Sequence, residues 1–156
     1  MTKEIQLTRG MVALVDDEDF VYLSKHNWYA HRGRDSKDFY AVRSNRCIRM
    51  HREIMNAKSG QFVDHRNGNT LDNRRSNLRF CTPSQSQMNR GIPPNNTSGY
   101  RGVFRDKRSG KWRAAIKINY KQIRLGNFII KEDAARAYDT AAKKYHGEFA
   151  RLNFPN

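Results

Sequence analysis

Val63-Asp64-His65-Arg66-Asn67-Gly68-Asn69 sets a carboxylate and an imidazole just before an Asn-Gly turn, and Leu71-Asp72-Asn73-Arg74-Arg75-Ser76-Asn77-Leu78-Arg79 follows with polar residues spaced as a loop. Next comes Thr82-Pro83-Ser84-Gln85, whose Thr-x-x-Gln spacing is a capping box with Pro at the first helical position. A helix is therefore expected to begin at Pro83. The predicted order is strand, polar loop, strand, helix.

Upstream, residues 1–54 alternate short apolar runs, such as Met11-Val12-Ala13-Leu14-Val15 and Tyr40-Ala41-Val42, with charged stretches such as Asp16-Asp17-Glu18-Asp19. That pattern predicts antiparallel strands with a short helical turn near 18–24. Downstream, Gly91-Ile92-Pro93-Pro94-Asn95-Asn96-Thr97-Ser98-Gly99 concentrates turn formers and offers little to bury. The expected division is residues 1–92, a linker at 93–99, and residues 100–156.

In the last third, strand-like runs lie around 100–106, 111–119 and 121–128, separated by Ser109-Gly110 and Asn119-Tyr120. A three-stranded meander follows. Over 131–146, Ala134, Ala137, Tyr138, Ala141, Ala142 and Tyr145 share one helical face, with Gly147 as the stop. The expected fold class is α+β in two pieces: a β-rich N-terminal part ending in strand, polar loop, strand and helix, and a three-stranded antiparallel sheet packed on one helix.

The 156 residues carry 30 Lys+Arg against 15 Asp+Glu, a net charge of +15. A polyanion is the expected partner. No run approaches the roughly 18 apolar residues of a membrane span, and no signal-peptide pattern opens the chain. An intracellular nucleic acid is the expected partner, with no membrane partner and a monomer favoured. An RNA partner has only the charge to support it. Cys47 and Cys81 are too few for a disulfide framework and are expected as buried thiols.

Period two splits the second strand-like run into a basic face, Arg113, Ala115 and Lys117, and an apolar face, Trp112, Ala114, Ile116 and Ile118. Gln122 and Arg124 stand opposite Ile123 and Leu125 in the next run. Such a thin sheet can enter a major groove, where Arg pairs with guanine and Lys neutralises phosphate. The other reading is a solvated basic face.

Tyr100-Arg101-Gly102-Val103, Gly110-Lys111-Trp112, Leu125-Gly126, Glu132-Asp133-Ala134-Ala135-Arg136-Ala137-Tyr138-Asp139 and Leu152-Asn153-Phe154-Pro155 resemble an AP2 domain over about residues 97–155. The resemblance implies that the sheet enters the DNA major groove, with Arg101, Arg113, Lys117 and Arg124 as contacts, Arg105 and Arg108 on phosphate, and Trp112 in the core. Phe104 and Ala115 stand where plant members typically carry Arg and Glu, so the plant target sequence does not transfer.

Taken alone, Asp64-His65 reads as readily as a surface ion pair or a capped turn. With a carboxylate to hold a metal, a His base and a polar residue brought in by a helix, the same order suits phosphodiester hydrolysis. Met50-His51-Arg52, Val63 to Gly68, Leu71 to Arg79 and Cys81-Thr82 resemble the HNH endonuclease family, in its phage and homing branch, across roughly residues 5–90. The resemblance implies a ββα metal motif and a divalent cofactor, Mg2+ first and Mn2+ second, acting on double-stranded DNA in the cytoplasm of a bacterial or phage-infected cell, with His65 as general base, Asp64 as metal ligand and Asn77 orienting the His-bearing loop. His51 matches a structural or phosphate-contacting position.

The third motif position, usually His or Asn, falls nine residues after Asn77 and is Ser86. Three outcomes stay open: Asn89, one turn on, substitutes as ligand; the site is weakened or tuned by Ser; or it is inactive and the chain is a DNA-binding protein with a decayed nuclease. Nicking against double-strand cleavage is also open. His26, His31 and His146 lack ligand spacing and are expected at the surface or in packing.

Overall fold

The computed structural model describes residues 1–33, 37–44, 47–93 and 95–155. Pro94, inside the expected linker, lies outside them. By internal contacts the chain forms two compact units, Met1–Pro83 and Ser84–Asn156. Both mix helices with small antiparallel sheets.

In the first unit, β1 (Thr2–Gln6) pairs antiparallel with β2 (Val12–Asp16). Alternation along β2 buries Ala13 and Val15 and leaves Val12 and Leu14 half-covered. The acidic run then opens α1 (Asp17–Leu23), where Asp17, Glu18 and Asp19 favour the positive end of the helix. Trp28 donates its indole N–H to the Leu23 carbonyl at 2.8 Å, satisfying one of the helix's last acceptors.

Strands β3 (Tyr29–His31), β4 (Tyr40–Arg43) and β5 (Ile48–Arg49) form an antiparallel sheet in that order, and α2 (Met50–Ile54) follows directly. Trp28, Ala41, Met50, Ile54 and Leu78 join β2 and α1 in one core. A two-stranded ribbon, β6 (Phe62–His65) with β7 (Leu78–Cys81), closes the unit. Cys47 is exposed and Cys81 only half-buried, so the expectation of two buried thiols fails. Cys47 sits in a turn at positive φ, and Cys81 ends the ribbon where little packs over it.

The second unit begins with α3 (Pro83–Met88), the expected helix start, and contains β8 (Val103–Arg105), β9 (Trp112–Ile118), β10 (Lys121–Phe128) and α4 (Lys131–His146). The sheet order is β10-β9-β8, all antiparallel, and α4 packs across it. Residues expected as linker are pinned here: the Ser98 hydroxyl donates to the Val103 carbonyl at 2.8 Å, and Asn96 accepts from the Gly99 amide at 2.8 Å.

Helix α4 buries Ala134, Ala135, Tyr138, Asp139, Ala141, Ala142 and His146. Tyr145, expected on that face, is 45% exposed. The buried stripe runs 135, 139, 142, 146 beside 134, 138, 141, so the last turn presents His146, whose Nε2 lies 3.1 Å from the Lys117 carbonyl. Asp139 is buried because its carboxylate accepts from the Asn153 and Phe154 amides at 2.8 and 2.9 Å.

Candidate functional site

Across the β6–β7 ribbon Asp64 pairs with Arg79 and His65 with Leu78. Adjacent strand positions alternate, so Asp64 and His65 leave β6 on opposite sides. Asp64 faces Arg79, with Oδ2 2.9 Å from Nη2, and both side chains are nearly out of solvent. His65 is 4% exposed and points into the unit. Its ring centroid lies 4.9 Å from that of His51, edge to face, and 6.3 Å from that of Tyr40.

His65 Nε2 lies 3.1 Å from Asn73 Oδ1. The Asn73 amide nitrogen donates to the Leu71 carbonyl at 3.2 Å, so its oxygen is the atom turned to the imidazole. That assignment puts the proton on Nε2 and makes Nδ1 the basic nitrogen. Burial pushes the imidazole below its ordinary range, opposed by the Asn73 bond and the nearby Asp64 and Asp72 charges, so the ring is neutral near pH 7.

Asn77 ties the loop between β6 and β7 into one shape. Its Oδ1 accepts from the Asn67 amide at 3.0 Å and its Nδ2 donates to the Asp72 carbonyl at 2.7 Å. Asp72, buried beside it, accepts from Asn67 Nδ2 at 2.8 Å and takes Arg74 at 2.7 Å on each carboxylate oxygen. The loop is stitched to β2 by Leu14 N to Leu71 O and Asn73 N to Leu14 O, at 2.9 and 2.8 Å. Asn73 and Arg79 escaped the sequence reading. The signal available was the density of Asn and Asp in the loop, at positions 67, 69, 72, 73 and 77.

His51, on α2, is also 4% exposed and packs on His65 and Tyr40. A side chain so placed packs against the His65 ring. Ser86 lies half-covered on α3, and Asn89 just beyond it is buried, its carbonyl accepting from Arg151 Nη1 at 3.3 Å.

Among the described residues no three His, Cys, Asp or Glu gather as a metal cage. The donor set instead fits a hard, oxygen-preferring cation held by one carboxylate, Asp64, and otherwise by water and substrate phosphate. It does not fit zinc, which takes three or four protein ligands.

In the second unit, register partners share a face, which places Phe104, Arg113, Ala115, Lys117, Gln122, Arg124 and Asn127 together. A bulge between Arg124 and Gly126 brings Asn127 to Arg113's face, a residue the sequence reading missed because strict alternation skips it. Arg113 donates to Asp106 Oδ2 at 2.7 Å, and that bond chiefly holds the Asp106 carboxyl below its ordinary range. Lys117 and Arg124 are exposed, Arg108 lies in the exposed turn before β9, and Trp112 is half-buried in the core. Arg105 shares Trp112's side of the sheet, its guanidinium stacked 4.8 Å from the indole. Arg101 turns inward: Nε donates to the Tyr138 hydroxyl at 2.8 Å, and Nη2 to the Met88 and Gln87 carbonyls at 2.7 and 3.2 Å.

This pair of units, one with an imidazole fixed beside a pinned polar loop and one with a basic three-stranded sheet on a helix, matches two domain families. The HNH endonuclease model covers residues 56–88 and the AP2 domain model residues 98–148. The chain belongs to the HNH endonuclease family and carries an AP2 domain.

Among particular relatives, it is 30% identical over 149 residues to the Uncharacterized HNH endonuclease L560 of Acanthamoeba polyphaga mimivirus, 93% of this chain and 76% of that protein. It is 31% identical over 121 residues to Protein 3.8 of Escherichia phage T7, 74% of this chain and 95% of that protein. The AP2-like ethylene-responsive transcription factor TOE2 of Arabidopsis thaliana is 44% identical over 73 residues, 46% of this chain but 15% of the plant protein. No helix among the described residues is long and apolar enough to cross a membrane.

Proposed function

We propose that the chain is a divalent-metal-dependent endonuclease that hydrolyses phosphodiester bonds in double-stranded DNA, with residues 1–92 cutting, 100–156 reading, and 93–99 joining them. The observation that carries this reading is the His65 imidazole, buried and neutral, with Nε2 held on Asn73 and Nδ1 as its basic nitrogen. A neutral imidazole in a fixed tautomer is what a general base for water requires.

In this reading His65 takes the proton from the attacking water, while Asn77 keeps the loop after β6 in shape. Asp64 would hold the cation of a ββα metal motif, Mg2+ or Mn2+, with Ser86 the weaker donor at the third motif position. Such a cation neutralises charge on the scissile phosphate and the leaving oxygen. Asn89, buried one turn beyond Ser86, is the alternative second donor. The sheet face bearing Arg113, Lys117 and Arg124 enters the major groove, with Arg108, in the turn before β9, offered to phosphate at its edge. Likeness to phage T7 and mimivirus proteins favours a viral or phage setting.

Plasmid DNA incubated with the parent chain and Mg2+ or Mn2+ is expected to be nicked or linearised, and His65→Ala is expected to abolish this. No cleavage by the parent, or equal cleavage by the variant, overturns the reading. Ser86 favours a second reading, a DNA-binding protein with a weakened nuclease, because one neutral hydroxyl is a poorer and shorter donor than an amide or imidazole. Robust cutting by Ser86→Asn where the parent cuts little supports that alternative.

A further inference from the structure

Helix α3 carries Ser86, the third motif position, and from Ser84 onward it falls in the second compact unit. Six residues make no stable helix alone, so its order depends on what holds its ends. The carbonyls left open at its C-terminus are met by cations from the reader. Arg101 Nη2 donates to Met88 at 2.7 Å and to Gln87 at 3.2 Å, and Arg151 Nη1 donates to Asn89 at 3.3 Å. Both hydrogen bonds and charge favour Arg at this end.

Arg101 is itself fixed at backbone and side chain. Its amide donates to Asn153 Oδ1 at 2.6 Å, and Asn153 is anchored on the buried Asp139 carboxylate at 2.8 Å. Its Nε donates to Tyr138, the residue before Asp139 on α4. The Nη1 nitrogen is buried without a partner, so that nitrogen is not turned outward to meet phosphate. Helix α4 braces the reading sheet, and through Arg101 the same helix holds α3.

We propose that Arg101 is a positioning residue for α3, the helix that carries the third motif position, Ser86. Loss of Arg101 then loosens Ser86 and slows cutting without weakening DNA affinity. The proposal rests on the reading that Ser86 serves the cutting site.

The test uses the full chain with Arg101→Ala and Arg101→Lys, measuring duplex affinity and single-turnover cleavage at saturating DNA. Arg101→Ala is expected to leave affinity within about threefold while the saturated rate falls about 10–100-fold, the cost of a catalytic element slightly misplaced. Arg101→Lys, which keeps one cation for Met88, recovers part of the rate. In a Ser86→Ala background the Arg101→Ala effect shrinks to about twofold or less, since the two act through one element. Weakened affinity with an unchanged saturated rate makes Arg101 a DNA contact and overturns the proposal, as does an undiminished loss in the Ser86→Ala background. Amide exchange over residues 85–90 gives a reading independent of cleavage. Faster exchange confined to α3 in Arg101→Ala supports the clasp, and unchanged exchange overturns it, whether or not the parent cuts.

Discussion

The Asp64 carboxylate and the Arg79 guanidinium face each other across the β6–β7 ribbon, Oδ2 to Nη2 at 2.9 Å, with side chains 11% and 5% exposed. The group proposed to take the cation is thus already compensated by a buried positive charge. Removing one member of such a pair strands the other, at a cost of about 3–5 kcal/mol. Arg79→Gln is expected to lower the melting temperature, and added Mg2+ to raise it more in the variant than in the parent. An equal shift in both proteins argues that the cation does not bind at Asp64.

The Asn73 side chain selects which imidazole nitrogen of His65 is basic. Asn73→Ala should slow cleavage about tenfold with KM unchanged, whereas His65→Ala should cost about 10²–10⁴. If Asn73→Ala raises KM and spares kcat, the side chain serves substrate binding and not the tautomer.

Burial, then the His65 ring and the Arg49 and Arg52 charges, hold His51 down to about 3, from an ordinary 6.5. The unfolded chain therefore takes up a proton that the folded chain refuses, so this contribution to stability is complete above pH 6.5 and is lost as pH falls toward 3. Urea midpoints should drop between about pH 7 and about pH 5, and His51→Gln should flatten the drop. A parent midpoint that holds steady across that interval contradicts the assignment.

Gly102 has a φ of 71°, and a Cβ there would press into the Tyr138 ring and stand 2.7 Å from the Ala115 carbonyl. Neither the backbone oxygen nor a ring wedged under Arg101 can yield cheaply. Gly102→Ala should destabilise the second unit by about 1–3 kcal/mol from overpacking, with backbone strain added. Thermal melts check this, and an unshifted melt refutes the packing.

Arg113, at the centre of the basic face, is held by Asp106. Arg113→Ala is expected to cost about 1–3 kcal/mol on the preferred duplex and little on random DNA, the mark of a base contact. Equal loss on both, with the salt slope reduced by about one, moves it to phosphate.

Much of this was legible without coordinates. The alternation of Arg113, Ala115 and Lys117 against Ala114, Ile116 and Ile118, the acidic opening of α1 and the start of α3 at Pro83 are local signals, and local periodicity reports them. Asn77 was legible as a loop-orienting residue through a family spacing. The end of α4 was not, because the helix's buried stripe drifts by its last turn and His146, not Tyr145, meets the sheet. Asn127 escaped because one bulged residue changes which neighbours share a face.

The sequence by itself determined the order of strands and helices, the two domain families and the spacing of Asp64, His65, Asn77 and Ser86, since these depend on residues close together in the chain. Only the tertiary structure decided which charges are spent on partners. Arg75 meets Asp19, 56 residues earlier, Arg79 meets Asp64, and Arg101 closes on α3 instead of turning outward. A guanidinium on a long flexible stem bonds to whatever acceptor the fold brings within reach, and that choice is made across space, where sequence spacing carries no information.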